Sequence, residues 1–151
     1  MNRLTKTQYY LEIAKAVSLR STCLISHYGS VIVNQDRIIS TGYNGSARGA
    51  DNCCDLGICA REESLDRPLR YDSCKSVHSE ASAIIFANYS DLIGSVIYIS
   101  RGLKTERSHE VVAPCKNCWR LIINAQVSKV VCLQPDDTII EFNPNDWINK
   151  I

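Results

Sequence analysis

The sequence predicts an α/β protein in which helices cover both faces of one sheet, giving three layers, α/β/α. Apolar runs typical of strands alternate along the chain with segments whose apolar residues recur every three or four positions. Strands that alternate with helices usually form a sheet packed between helical layers. The chain has no internal repeat, low-complexity tract or linker, so we expect one domain over residues 1–151.

The N-terminal third predicts a helix followed by a β-hairpin. Residues 5–19 carry apolar side chains at helical spacing. The run GSVIVNQDRIIST, residues 29–41, is typical of two strands joined by a turn at 34–36. The glycine-rich loop GYNGSARGADN leaves the second strand, and residues 51–75 form a polar, cysteine-rich insert.

The rest of the chain predicts helices and strands in alternation. A helix is expected from His78 to about Asn88, and one side of it should carry Ala81, Ile84, Ile85 and Tyr89. The further elements are a strand SVIYIS, a charged connection RGLKTERSHEVVA that is partly a hairpin, a helix from Cys115 to about Ala125, a strand KVVCL, an edge strand TIIEF and a short helix after Pro144.

Composition and charge exclude several classes of partner. The formal net charge is +1, so tight nonspecific binding to nucleic acid is not expected. No apolar run approaches the roughly 20 residues that span a bilayer. The N-terminal stretch MNRLTKTQYYLEIAKAV is an amphipathic helix pattern without a signal-peptide core. We therefore expect a cytoplasmic protein with no membrane partner.

The cysteine content indicates metal binding or catalysis. The chain has eight cysteines, and without an export signal the cytosol would keep them reduced. They lie at positions 23, 53, 54, 59, 74, 115, 118 and 132. Cys132 lies in an apolar, strand-like run and is best interpreted as a small buried hydrophobic residue.

Two short motifs predict a metal site when they are taken together. In APCKNC, Pro114 suits the first turn of a helix, and Cys115 and Cys118 share one face of that turn. In SVHSEASAII, His78 and Glu80 stand at the head of another helix. One imidazole and two thiolates leave a fourth zinc position for water, which is the ligand count of a catalytic site. Glu80 could accept the proton of that water.

Each motif alone also has an ordinary interpretation. A single Cys-x-x-Cys is typical of a structural zinc knuckle, and a His-x-Glu can be a polar helix start. In the joint pattern, Pro114 comes 36 residues after His78 and a strand lies between the two motifs. This pattern resembles that of the zinc-dependent nucleobase deaminases.

Within the deaminases, the chain closely resembles the deoxycytidylate (dCMP) deaminase family over roughly Arg20 to Val131. The stretches that carry this resemblance are RSTC, GSVIV, RIISTGYNGSARG, CKSVHSEASAII and PCKNCWRLIINAQVSKVV. This resemblance implies a cytidine-deaminase-like fold with a five-stranded mixed sheet. It also implies hydrolytic deamination of dCMP to dUMP and ammonia, which supplies dUMP for thymidylate synthesis.

The resemblance also implies site residues. His78, Cys115 and Cys118 would hold the catalytic zinc, Glu80 would carry protons to N3 and to the leaving amine, and Asn44 would hydrogen-bond the nucleotide. For Asn44 the alternative is a tight turn, since Asn and Gly tolerate positive φ.

Two further sets of residues are candidates. Phosphate contacts are predicted for Arg20, His27 and Arg48, which flank the glycine-rich loop, although each could be a solvated charge. Similar family members carry a second, structural zinc, here predicted at Cys23, Cys53, Cys59 and Cys74, with Cys54 competing for one place. The alternative is free cysteines.

Many members of the resembled family are hexamers, activated by dCTP and inhibited by dTTP, with magnesium on the effector. We therefore expect a homo-oligomer, with Phe86 and Tyr89 at a subunit interface. The effector motif would be Gly42, Tyr43, Asn44 and Gly45.

The chain departs from the family pattern in several places. Ser79 and Ala83 stand where Ala and Asn are usual, and Ala47 replaces a common Pro. The long connection 101–113, with Arg101, Arg107 and His109, is expected beside the site, where it could cap the pocket or adjust substrate choice.

Two alternatives remain for the function. The first is a deaminase of another base, such as cytidine, a tRNA adenosine, guanine or a pterin. The second is a zinc-stabilised binding module without catalysis.

Overall fold

The computed structural model describes residues 2–64, 72–103, 105 and 107–151. Its helices are α1 (Lys6–Ser18), α2 (Cys53–Leu56), α3 (Ala60–Glu63), α4 (Ser79–Ile85), α5 (Tyr89–Leu92) and α6 (Lys116–Asn124), followed by a 3₁₀ helix (Pro144–Trp147). Its strands are β1 (Tyr28–Asn34), β2 (Arg37–Tyr43), β3 (Gly45–Ser46), β4 (Ser76–Val77), β5 (Val96–Arg101), β6 (Lys129–Leu133) and β7 (Ile139–Phe142).

Five strands form one mixed sheet in the order β2-β1-β5-β6-β7. The β5–β6 pair is parallel, and the other pairs of this sheet are antiparallel. The parallel pair is connected through α6, as parallel neighbours require a crossover. The predicted five-stranded mixed sheet is confirmed.

The two faces of the sheet are covered by different helices. On β1, Val31 and Val33 pack with Tyr10 and Ala14 of α1. Ile32, between them in sequence, points to the opposite face because side chains alternate along a strand. That face carries the larger core, to which α4 and α6 contribute. The three-layer α/β/α prediction is therefore confirmed.

The N-terminal elements follow the sequence prediction closely. Thr5 caps α1 through a capping box with Gln8, which fixes where the helix begins. The β1–β2 hairpin turns through Gln35 and Asp36, whose φ angles of 48° and 63° lie in the left-handed region. The predicted helix and hairpin of this third of the chain are confirmed.

Helix α4 packs unusually close to strand β2 because Gly42 has no side chain. A Cβ atom at Gly42 would lie 2.3 Å from the backbone nitrogen of Ala83 and 2.4 Å from the carbonyl oxygen of Ser79. The backbone of β2 therefore sets the depth at which the first turn of α4 lies.

The predicted helix from His78 to about Asn88 is wrong in length, and the side predicted to carry its apolar residues is only partly buried. Helix α4 ends at Ile85, and α5 begins separately after the N-cap residue Asn88. Ile85 and Tyr89 are 70% and 57% exposed, whereas Ala83 is fully buried. The close contact with β2 selects the buried face, and the apolar spacing in the sequence does not show this contact.

Other differences are smaller. Pro114 precedes Cys115, the N-cap residue of α6, instead of lying in the first helical turn. No strand forms among the described residues of the 101–113 connection beyond Arg101, so the predicted hairpin is absent there. The short β3–β4 ladder was not predicted, and it pairs Gly45 with Val77 directly before His78.

The later strands are confirmed. Strands β5, β6 and β7 match SVIYIS, KVVCL and TIIEF, and Cys132 is fully buried, as predicted. Among the described residues, no helix combines the length and apolarity that a membrane crossing needs.

Candidate active site

Two helix N-termini bring three metal-ligating side chains together. His78 is the N-cap residue of α4, Cys115 is the N-cap residue of α6, and Cys118 lies in the first turn of α6. In the described part of the chain, these three form one cluster in which all ligand atoms lie within 4.8 Å of one another. Neither N-cap side chain bonds to its own helix, so both are directed to the cluster.

The spacing of these atoms fits a zinc ion. The Nδ1 atom of His78 lies 3.5 Å from the Sγ of Cys115 and 3.4 Å from the Sγ of Cys118. Zn–S bonds of about 2.3 Å and Zn–N bonds of about 2.0–2.1 Å at tetrahedral angles place such ligands about 3.6 Å apart. The donor set and its distances therefore fit zinc, with Nδ1 as the histidine ligand.

The cluster also favours a thiolate. Hydrogen bonds from Cys118 and then from His78 lower the pKa of the Cys115 thiol to about 3, against the opposing effect of burial. The bond to Cys115 is the main cause that raises the pKa of His78. The hydrogen bond between Cys118 and Cys115 is the main cause that raises the pKa of Cys118. A negatively charged sulfur beside a protonated nitrogen is a site that a divalent cation can occupy by displacing protons.

Glu80 lies in the same helical turn, buried beside the cluster. Glu80 is 6% exposed, and desolvation raises the pKa of its carboxyl group. The Ser79 hydroxyl donates to Glu80 Oε2 at 3.1 Å, and Ser79 Oγ lies 2.8 Å from Ser30 Oγ. A buried carboxyl group whose pKa is raised holds a proton more readily than an exposed one, which suits a group that accepts and then donates protons.

A cavity of about 400 Å³ opens onto the cluster. His78, Glu80 and Cys115 are among the residues that line it. Its apolar wall includes Ile25, Tyr28 and Ile99. A volume of this size suits a small molecule such as a nucleotide.

Asn44 also lines this cavity, and its side chain is held firmly. Its Nδ2 donates to the Ser26 carbonyl oxygen at 2.8 Å. Its Oδ1 accepts from the Tyr28 amide at 2.7 Å and from the Ser21 hydroxyl at 2.8 Å. The amide of Asn44 therefore shapes the wall formed by residues 21–28.

A family model described as "Cytidine and deoxycytidylate deaminase zinc-binding region" matches residues 4–134. The chain belongs to this family. The matched range contains all three clustered ligands and Glu80.

Several relatives of this deaminase are known by name. The deoxycytidylate deaminase of Mycobacterium phage D29 is 35% identical, over 87% of this chain and 96% of the relative. That of Enterobacteria phage T4 is 29% identical, over 87% of this chain and 79% of the relative. That of Schizosaccharomyces pombe is 38% identical, over 82% of this chain and 35% of the relative.

Solved structures share the fold of this deaminase. The dCMP deaminase of cyanophage S-TIM5, in complex with dCMP and dUMP, matches with a TM-score of 0.61 at 22% identity, over 87% of this chain and 83% of that one. The cytidine deaminase of Burkholderia pseudomallei matches with a TM-score of 0.56 at 17% identity, over 92% and 93% of the two chains. These likenesses confirm the cytidine-deaminase-like fold.

The predicted phosphate contacts lie away from the lining of the deaminase cavity. Arg20 and Arg48 are exposed, and the Arg48 guanidinium stacks over the Phe86 ring at 4.7 Å. His27 is half-buried, and neither it nor the two arginines line the cavity. Their phosphate role stays a prediction.

The candidate effector residues have separate structural environments. Gly42 lies under α4, Tyr43 is 38% exposed, and Asn44 lines the cavity. A Cβ atom at Gly45 would lie 2.6 Å from the Thr22 hydroxyl, so this position also requires close packing. Binding of an effector by these residues stays a prediction.

The second cysteine set is only partly assembled. Cys23, Cys59 and Cys74 line the same cavity, while Cys53 is buried in the first turn of α2. No three of these four have sulfurs within 4.8 Å of one another in the described ranges. Cys54 is exposed and bonds to Asp55.

Sequence reasoning missed two charged residues of the cavity. Arg61 comes from α3 in the cysteine-rich insert, and Glu110 comes from the 101–113 connection. Neither belongs to a motif, and only the folding of two irregular segments brings them to the cavity. Arg107 of the connection also lines the cavity, whereas the exposed His109 does not.

Proposed function

We propose that this protein is a zinc-dependent hydrolase that converts dCMP and water to dUMP and ammonia. The observation that carries the proposal is the His78–Cys115–Cys118 cluster beside the buried carboxyl group of Glu80, on a cavity of nucleotide size. The names of the phage D29 and phage T4 relatives support dCMP as the substrate.

In this proposal His78, Cys115 and Cys118 would hold zinc, and the chemistry supplied there would be that of a Lewis acid, which makes water a better nucleophile towards the amino-bearing carbon of the base. Glu80 accepts a proton from the water and delivers protons to N3 and to the departing amine. One C–O bond forms at C4 and one C–N bond breaks, so that water and dCMP balance dUMP and ammonia.

Asn44 is proposed to orient the nucleotide as well as to hold the cavity wall. Its Nδ2 has a second hydrogen besides the one donated to Ser26, and the residue lines the cavity. A donor held in place by three hydrogen bonds would lose little freedom when a ligand binds.

The test is deamination of dCMP by the zinc-loaded protein and by its Glu80→Gln variant. We expect the substitution to lower kcat by about 100-fold to 10,000-fold, because the amide of Gln cannot carry the proton. Zinc content and melting temperature should stay close to those of the unmodified protein. Glu12→Gln, at an exposed position of α1, is the matched control and should keep full activity.

Substrate identity is tested with the same protein on a panel. Deamination of cytidine or of a tRNA anticodon loop, with dCMP left untouched, would contradict the proposal. Turnover of dCMP that survives Glu80→Gln would remove Glu80 from the proton-carrying role.

We also propose two features that members of the resembled family have. These are a second zinc at Cys23, Cys53, Cys59 and Cys74, and regulation by dCTP and dTTP with magnesium. The shared lining of Cys23, Cys59 and Cys74 supports the second zinc. Addition of each triphosphate to the dCMP assay tests regulation.

We also propose a homo-oligomer, a cytoplasmic location and a single domain over residues 1–151. Phe86 and Tyr89 are 53% and 57% exposed, and Ile85 beside them is 70% exposed. Exposed apolar side chains of this size support a subunit interface at this position. The product dUMP would supply thymidylate synthesis.

A further inference from the structure

The lining of the cavity carries two guanidinium groups. Among the described residues that line the cavity, the arginines are Arg61 and Arg107. They come from different segments, Arg61 from α3 and Arg107 from the connection between β5 and α6. Arg61 and His78 line the same cavity, so this arginine shares the site with the cluster.

An ion pair joins the two segments at this point. Arg107 Nη2 lies 3.2 Å from Glu62 Oε1, and Arg107 Nε lies 3.9 Å from Glu110 Oε1. Glu62 directly follows Arg61 in α3. The pair therefore places the backbones that carry the two arginines side by side.

Arg107 is also held in place by contacts with Arg101. The buried guanidinium of Arg101, at the end of β5, donates to the carbonyl oxygen of Arg107 and to the Tyr28 hydroxyl. It stacks on the Tyr28 ring at 4.8 Å. The turn that presents Arg107 is thus attached to the central sheet, which reduces the freedom that Arg107 would lose on binding a ligand.

We propose that Arg61 and Arg107 bind the 5′-phosphate of the nucleotide. This inference rests on the proposed function, which places the base beside Glu80 in the cavity that Arg61 and Arg107 also line. A guanidinium offers several fixed N–H donors that match phosphate oxygens, and charge-assisted bonds of this kind are strong. The two arginines would make the protein select a nucleotide over a nucleoside.

The experiment compares dCMP with deoxycytidine, which differs only by the phosphate. Arg61→Ala and Arg107→Ala are measured for kcat/KM on both compounds. Binding of both is also measured by calorimetry in the zinc-loaded Glu80→Gln background. Arg37→Ala is the matched control, because Arg37 is exposed at the far end of the β1–β2 hairpin.

Each arginine substitution should lower kcat/KM and affinity for dCMP by about 10-fold to 100-fold, the value of hydrogen bonds to a charged group. For deoxycytidine the same variants should stay within about twofold of the parent protein, because the lost contact is absent there. Arg37→Ala should leave both compounds unaffected.

Glu62→Gln separates phosphate binding from a structural effect of the ion pair. This variant breaks the pair but keeps Arg107, so dCMP affinity should be retained or increased. An equal loss on dCMP in Glu62→Gln and Arg107→Ala would overturn the proposal, as would equal losses on dCMP and deoxycytidine. A loss in Arg48→Ala with none in Arg107→Ala would favour the sequence prediction instead.

The calorimetric binding measurement separates a failure of this inference from a failure of the proposed function. A parent protein that binds dCMP through the two arginines but does not deaminate it would refute the function and leave the phosphate site standing. A protein that deaminates dCMP with no preference over deoxycytidine in binding or kcat/KM would refute the phosphate site alone.

Discussion

Ser79 joins Glu80 to the sheet through a chain of two buried hydroxyl groups. Ser79 and Ser30 are both fully buried, and their Oγ atoms lie 2.8 Å apart. Ser79 donates to Glu80, so Ser30 on β1 donates to Ser79. The position where the family usually has alanine therefore holds a side chain that orients the carboxyl group.

Ser79→Ala should lower both the free energy of unfolding and the activity. Loss of the hydroxyl leaves Ser30 buried without this partner, at a cost of about 1–3 kcal/mol. We expect kcat to fall by about tenfold with little change in KM, because Glu80 loses a donor while the cavity keeps its shape. Denaturant unfolding and steady-state kinetics on dCMP measure the two effects.

The double variant Ser30→Ala/Ser79→Ala provides the control. Removal of both hydroxyls leaves no unpaired serine, although Glu80 still lacks its donor, so the stability of the double variant should exceed that of Ser79→Ala alone. An unchanged kcat in Ser79→Ala would show that Glu80 is held in place by other contacts.

At this scale, the sequence predicts the clustered residues but not the cavity around them. His78, Cys115 and Cys118 follow from two short motifs at helix starts, where local spacing determines the geometry. Arg61 and Glu110 reach the cavity from irregular segments, and their positions depend on contacts between residues far apart in sequence.

Helix α1 is fastened to the β1–β2 turn by polar contacts. The Tyr10 hydroxyl donates to Asp36 Oδ1 at 2.7 Å, and Lys6 pairs with the same carboxylate. The bond to Asp36 is the main cause that raises the pKa of Tyr10 to about 12. Bonds from Lys6 and then Tyr10 lower the pKa of Asp36.

Tyr10→Phe should lower the melting temperature by about 2–4 °C at pH 7, as expected for one hydrogen bond in a chain of this size. The depressed pKa of Asp36 means that its contribution is present above the ordinary pKa of aspartate and is lost as pH falls through its folded value. The raised pKa of Tyr10 means that its contribution persists below pH 10 and is lost as pH rises through about 12.

The difference between Tyr10→Phe and the parent protein should therefore be constant near neutrality and shrink in acid and in strong alkali. Calorimetric melting across this pH range measures it. Tyr9→Phe is the matched control, since Tyr9 is 50% exposed. A difference that does not change with pH would assign the effect to packing alone.

Element prediction succeeds where local signals are strong. Thr5 and Gln8 define the start of α1, and the alternation of β1 defines its two faces. The end of α4 was mispredicted because its apolar spacing continues into α5, while the contact with Gly42 decides which face is buried. The β3–β4 ladder has only two residues in each strand, too few for a periodic signal.

At the scale of the whole molecule, the cluster connects elements on either side of β5. Helix α4 precedes β5 and α6 follows it, and their N-termini meet at His78, Cys115 and Cys118. A zinc ion at this point would cross-link the two helices and stabilise the folded state by its binding free energy.

Removal of zinc by a chelator should lower the melting temperature by about 5–10 °C, if zinc is present in large excess over its dissociation constant before the chelator is added.

Elemental analysis should find two zinc ions per chain, one at His78, Cys115 and Cys118 and one at the proposed second cysteine set. Cys53→Ser should remove the second ion and keep the first. A metal content unchanged by Cys53→Ser would show that this residue is not a ligand.

The layered fold is the property that the sequence predicts most completely. Alternating strand and helix signals along the chain determine the α/β/α arrangement, and the structure bears it out. The arrangement of the insert around the cavity is not encoded in such a pattern, because short helices such as α2 and α3 are stabilised by tertiary contacts.

The β3–β4 ladder has a consequence for how this protein could be altered. It ties residues 45–46 to residues 76–77, so the segment between them leaves and re-enters the fold at one closed base. Exposed positions such as Ala47 and Ala50 in that segment can then vary without displacing His78, which directly follows the ladder. Arg61 lies in the same segment. Substitutions around Arg61 are therefore a route to a changed substrate preference in a protein that keeps His78, Glu80, Cys115 and Cys118.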